Sequence, residues 1–96
     1  MLVIPVKTSW LINVLSRKVN EAYVEIKPYW TERFGKVFPF DEMGVPTGVE
    51  TEKVIFSNGF NQNSTSIVAE VDLTYGTNEE TNKLVYVLRI WDFEIY

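Results

Sequence analysis

The sequence predicts one α+β domain: a mainly antiparallel sheet of five strands, curved or closed on itself, with two short helices. Three observations predict it. Strand and helix patterns follow one another in the order β-α-β-α-loop-β-β-β, and the consecutive strands at the end pair most simply as hairpins. A chain of 96 residues fits a single hydrophobic core. That core is built without a disulfide, from a composition 46% hydrophobic and 15% aromatic.

Leu2 to Val6 reads as the first strand, with Pro5 tolerable only at an edge or strand end because it has no N–H for a ladder. Thr8 or Ser9 then caps a helix, since a side-chain oxygen there accepts a hydrogen bond from an orphan N–H. Trp10, Leu11, Val14 and Leu15 make its apolar stripe, which places Trp10 in the core. The helix ends near Arg17 and Lys18, cations that suit the negative end of its dipole. A second strand covers 22–26, with Tyr23 and Glu25 on one face and Ala22, Val24 and Ile26 on the other. Pro28 fits the first turn of a second helix, Tyr29 to Phe34, and Gly35 its C-terminal stop.

Residues 37–51 hold Pro39, Gly44, Pro46 and Gly48 with little periodicity, which predicts a loop long enough to be functional or mobile. Neither flank can fold comfortably alone, so residues 1–96 form one domain. Lys53 to Phe56 is a third strand, closed by a tight Ser57-Asn58-Gly59 turn. From Ser66 to Tyr75, Ile67, Ala69, Val71 and Leu73 alternate with Val68, Glu70, Asp72 and Thr74. A polar turn over 76–82 leads to a long final strand, Lys83 to Ile95.

The chain has no cysteine and no histidine, which excludes thiolate zinc sites, cysteine nucleophiles, imidazole bases and His-ligated metals. No metal or other cofactor is expected, and a disulfide-stapled secreted scaffold is impossible. The composition fits a cytoplasmic setting. Lys7 interrupts the apolar start far short of the ~20 residues a membrane span requires. Asn63-Ser64-Thr65 matches a glycosylation sequon but, with no signal peptide, reads as a polar turn. Charge is divided unevenly: residues 1–36 carry six basic against three acidic residues, and residues 37–96 carry three against ten. A basic opening third followed by an acidic remainder says more about partners than the total of −4 does.

Val6-Lys7-Thr8-Ser9-Trp10 before a helix, then Tyr23-Val24-Glu25-Ile26-Lys27-Pro28-Tyr29-Trp30, then Val54-Ile55-Phe56-Ser57-Asn58-Gly59-Phe60 resembles small ASCH-domain proteins, including many from phages and mobile elements. The resemblance covers most of the chain apart from 37–51. It implies a PUA-like β-barrel and a cleft, lined by the first helix and the strand after it, where relatives handle RNA or modified nucleosides. Some small relatives are amidohydrolases on acylated cytidine that use a lysine, a serine or threonine, and a glutamate. The family's helix-to-strand signature runs Gly-x-Lys-x-x-Glu-x-Arg. Anchored on Ile26-Lys27-Pro28, those positions are Arg17, Val19, Ala22 and Val24 here, so every key residue is replaced. A frame shifted by one offers Lys18 and Glu21 at the right spacing, with Ser16 at the glycine and Tyr23 at the arginine.

Each candidate residue has a plain alternative. Lys7 can meet a phosphate at the start of the first helix, or be a solvated lysine in a turn. Arg17, Lys18 and Lys27 can form a basic patch beside Tyr23, with Tyr29 and Trp30 as stacking faces worth ~1–3 kcal/mol per base. Alternatively, those two rings are core or rim packing. Asn58 can read a base edge, or simply belong to a type I′ turn with Gly59. Lys18, Glu21 and Ser16 are the only grouping suited to acid–base or nucleophilic work. Beside Arg17 at a helix end, Lys18 is expected to stay exposed and charged, whereas a basic lysine must be desolvated. The pairs Asp41-Glu42 and Glu79-Glu80 lack metal-ligand spacing.

Three functions follow. The first is an RNA- or nucleotide-binding ASCH-like module without an intact catalytic signature. The second is a phage-encoded, anti-CRISPR-like inhibitor that binds a host defence protein, its acidic segment mimicking a phosphate backbone. The third is a nucleoside amidohydrolase. Modified nucleotides or a host protein are the expected partners, and a membrane is not.

Overall fold

A computed structural model of the chain describes residues 1–59 and 64–96. Phe60 and the sequon's Asn63 lie outside the described residues. The elements are β1 (Val3–Pro5), α1 (Thr8–Leu15), β2 (Glu21–Glu25), α2 (Pro28–Gly35), β3 (Glu52–Ser57), β4 (Ser66–Asn78) and β5 (Lys83–Ile95). The α+β class, the five strands and the two short helices stand as the sequence predicts.

The strands form one mixed sheet in the order β1-β3-β4-β5-β2. β3–β4, β4–β5 and β2–β5 are antiparallel, while β1 lies parallel to β3. The sheet is open, because β1 and β2 are its two edges and do not pair. Val6 N–H donates to Ser57 and Ile55 N–H to Leu2, so alternate residues of β1 face β3 and Pro5 turns outward. A residue with no N–H thus occupies the unpaired edge, where it forfeits no ladder bond.

One face of the sheet carries Val54, Phe56, Ile67, Ala69, Val71, Leu73, Tyr86 and Leu88, all buried. Leu11 and Val14 of α1 and Phe34 of α2 complete the core. Burying a phenylalanine such as Phe34 or Phe56 contributes ~1.5–3 kcal/mol. Tyr86 is wholly buried and keeps its hydroxyl paired with Thr31 Oγ1 at 2.7 Å. Its ring meets Phe34 edge-on at 5.0 Å, a geometry that suits aromatic quadrupoles.

Several local expectations are corrected. Lys7, not Thr8 or Ser9, is the N-cap of α1 and provides no side-chain cap. Gly35 ends α2 from inside rather than stopping it from outside. Asn58-Gly59 does not close a tight turn, since β3 ends at Ser57 and β4 begins at Ser66, and Asn58 N–H donates to the Thr65 carbonyl at 3.2 Å. β4 runs on through Gly76 to Asn78, which shortens the polar turn to 79–82. The segment 37–51 is the loop expected, anchored in its first half while Met43 and Val49 stand exposed. Phe38 is buried, Phe40 bridges Pro46, and Asp41 Oδ1 accepts from the N–H groups of Met43 and Val45. No helix among the described residues is long and apolar enough to cross a membrane.

Candidate functional site

The two edge strands approach each other across a seam. A hollow of about 290 Å³ there is lined by Pro5, Val6 and Lys7 from one side and by Ala22 and Tyr23 from the other, with Trp10 between. It adjoins a wider one of about 660 Å³ that adds Lys18, Val19, Asn20, Glu21 and Glu80. Together they span the volume range of small-ligand sites.

Trp10 bridges the seam. Ile90 N–H donates to Asn20, so ladder alternation along β2 turns the backbone of Glu21 and Tyr23 away from β5. The Glu21 carbonyl on that free edge accepts the Trp10 indole N–H at 2.9 Å. The opposite part of the indole packs on Phe56, 4.9 Å between ring centres. The residue expected in the core is therefore half-buried and forms one wall of the site.

Backbone turns deliver the cations. Lys7 is the N-cap of α1 in extended conformation and stays exposed. At the other end of α1 the chain reverses through a Schellman motif. Lys18 N–H donates to Asn13 at 2.8 Å and Arg17 N–H to Val14 at 2.9 Å, with Arg17 in the left-handed region at φ +61°. That reversal projects Lys18 into the wide hollow and swings Arg17 round the corner, its guanidinium 5.1 Å above the ring of Phe93.

Tyr23 is half-exposed, and its hydroxyl donates to Glu21 Oε2 at 3.1 Å. That hydrogen bond, with the charge of the same carboxylate, holds the phenol above its ordinary pKa. The wide hollow thus gathers two cations, Lys7 and Lys18, two carboxylates, Glu21 and Glu80, and the rings of Trp10 and Tyr23.

Of the residues singled out by sequence, Lys7, Lys18, Glu21 and Tyr23 come together here, and Arg17 sits at the border. Others are engaged elsewhere. Lys27 pairs with Glu25 at 2.9 Å in full solvent, Trp30 stacks on core residue Phe34 at 5.4 Å, and exposed Tyr29 is capped by Arg33 at 3.4 Å. Asn58 spends both ends of its amide on structure, donating to Thr8 Oγ1 at 3.2 Å and accepting from Thr65 N–H at 2.7 Å. Ser16 Oγ donates to the Ile12 carbonyl at 2.8 Å, so the hydroxyl is turned onto its own helix. Among the described residues no group of three or more carboxylates is arranged to hold a metal ion.

Sequence reasoning missed one cluster. Asp72 of β4 is buried, and its Oδ2 accepts from Arg89 Nη2 at 2.9 Å, Arg89 Nε at 3.3 Å and Trp91 Nε1 at 2.8 Å. The alternation places Asp72 on the polar face, and nothing in it signals burial.

Comparison with family models, curated proteins and solved structures finds no significant match.

Proposed function

We propose that this protein is a nucleotide- or RNA-binding module of ASCH type that has lost the family's catalytic residues. The hollow at the β1–β2 seam carries the reading, because it joins Lys7 and Lys18 to the ring faces of Trp10 and Tyr23. Cations for phosphate and flat rings for bases are the combination that binds unpaired nucleotides. The open seam would then correspond to the mouth of a PUA-like barrel.

Backbone geometry at Arg17 supports the family frame. A positive φ is the conformation glycine adopts most readily, and the signature's glycine falls on this residue when anchored at Ile26-Lys27-Pro28. In that frame Val19 and Ala22 occupy the lysine and glutamate positions, and Ala22 is buried. The amidohydrolase reading is left with Lys18 and Glu21 but no free hydroxyl at Ser16.

Titration of AMP at low ionic strength tests the proposal. Binding should weaken with salt, and a Lys7→Ala/Lys18→Ala variant should lose most of the affinity. For single strands the salt slope should fall by about 0.7 for each phosphate contact removed. No binding at low salt sinks it.

A second reading, a protein-binding inhibitor, is favoured by a different face. Glu70, Asp92 and Glu94 line a hollow across β4 and β5 with only Lys53 opposing them. Such a strip is complementary to a basic channel. A stoichiometric lysate partner that wild type captures and a Glu70→Lys/Glu94→Lys variant does not would support it. Recovery of no such partner counts against it.

A further inference from the structure

The seam hollow does not end at Lys18. Val19 and Asn20 also line a second hollow, about 80 Å³, to which the end of α1 contributes Arg17 and β5 contributes Trp91, Asp92 and Phe93. Two of its rings carry a cation, with Arg17 5.1 Å above Phe93 and Arg89 4.8 Å above Trp91.

Trp91 is 60% exposed, yet its ring is fixed. The indole N–H donates to Asp72 Oδ2 at 2.8 Å, and the same oxygen holds the Arg89 guanidinium. Asp72 itself is 2% exposed, and its Oδ1 has no hydrogen-bond partner among the described residues. Burying a carboxylate with an unsatisfied oxygen costs more than burying an apolar side chain of similar size. An arrangement selected only for stability would bury the ring and dispense with the charge. What this one secures is the orientation of a solvent-facing indole and guanidinium. The backbone contributes as well. The β4–β5 register passes from Val71↔Ile90 to Glu70↔Asp92, so Trp91 is the extra residue of a bulge, which re-aims its side chain. Arg17, across the hollow, occupies a left-handed position that glycine fills at lower cost. Retaining a side chain there places a guanidinium beside the path between the two hollows.

We infer that Trp91 is a second base-stacking platform, and that the ligand is a short single-stranded oligonucleotide rather than a free nucleotide. One nucleotide occupies the seam, the backbone passes Lys18 and Arg17 over Val19 and Asn20, and a following base lies on Trp91 beside Arg89. This extension rests on the nucleotide-binding reading above. Carboxylates set its limit. Asp92 already borders the second hollow, and the next one adds Glu70 and Glu94 to it, a density of carboxylates that repels phosphate. A strand confined between the seam and this acidic strip is short, which points to the low end of single-strand site sizes, about four nucleotides.

The test is a length series, AMP and then oligoadenylates of two, four and eight nucleotides, titrated against wild type, Trp91→Ala and Trp91→Phe at low salt. Affinity should rise about ten-fold or more from AMP to the tetranucleotide, the scale of one added stack, and change little beyond it. Trp91→Ala should erase that gain and leave AMP binding unchanged, while Trp91→Phe keeps part of it through its ring. Unchanged circular dichroism and AMP binding certify that the variants are folded. If AMP binds but the tetranucleotide binds no tighter, or Trp91→Ala keeps the gain, the second platform is refuted and the seam site stands. If neither AMP nor any oligonucleotide binds wild type, both fall together.

Discussion

Replacing Arg89 with methionine should destabilise the protein more than replacing its partner Asp72 with alanine, although both break the same ion pair. The difference lies in what is left behind. The Asp72 side chain is 3% exposed and that of Arg89 48% exposed. Without Arg89 the carboxylate stays buried with the Trp91 N–H as its remaining donor, and stranding a buried charge costs about 3–5 kcal/mol. Without Asp72 the guanidinium is taken up by water. The loss is then its charge-assisted hydrogen bonds, partly offset by the relieved desolvation of the carboxylate, a net of about 1–2 kcal/mol. A domain of this size shifts its Tm by about 4–8 °C per kcal/mol, so the two variants should differ by roughly 10 °C. Urea and thermal unfolding followed by far-ultraviolet circular dichroism measure this without relying on the Trp91 signal. A double variant, Asp72→Leu/Arg89→Met, should return to within about 1 kcal/mol of wild type, because neither charge is stranded. Equal losses in the two single variants, or a double variant as unstable as Arg89→Met alone, would refute the argument from burial.

Three further outcomes are expected. Trp10→Phe removes the indole bond to the Glu21 carbonyl across the seam, a loss of about 1 kcal/mol, and α1 amides should exchange hydrogen faster relative to those of β4. Gly48→Ala should cost about 1–2 kcal/mol for its φ of +68° alone. A Cβ there would also lie 2.6 Å from Thr74 Cγ2, so a Thr74→Ser background should relieve the steric part and leave the conformational part. The Tyr23 phenol should titrate above 10.0, detected by phenolate absorbance or ring resonances, and Glu21→Gln should bring it down. Because the folded pKa is the raised one, this contribution to stability is present below the ordinary phenol value and is lost as pH rises through the folded value. A titration that Glu21→Gln leaves unmoved would exclude the hydrogen bond as its cause.

Local chemistry made much of the scaffold legible. Alternation from Ile67 to Leu73 marks a half-buried strand, the Trp10–Leu15 stripe marks a helix, and Pro28 marks the start of another, because each pattern reports which side of an element meets the core. Pro5 was readable for the same reason, since a missing N–H can sit only where no strand pairs. The candidate site was half legible. Lys7, Lys18 and Tyr23 converge, whereas Tyr29 and Trp30 next to Lys27 do not, because the start of α2 turns the Trp30 ring onto Phe34.

What the sequence alone determined is the class of the fold, one core without cysteine or histidine chemistry, and the uneven division of charge between the opening third and the rest. Tertiary structure decided the parallel partnership of β1 with β3, the seam left between β1 and β2, and the burial of Asp72 beneath Arg89 and Trp91. The physical reason is range. Periodicity and turn chemistry act over a few residues, while the seam depends on β1 and β2 at opposite edges of the finished sheet, and the shared carboxylate on the cross-strand register of β4 and β5, which sets Asp72 opposite Arg89.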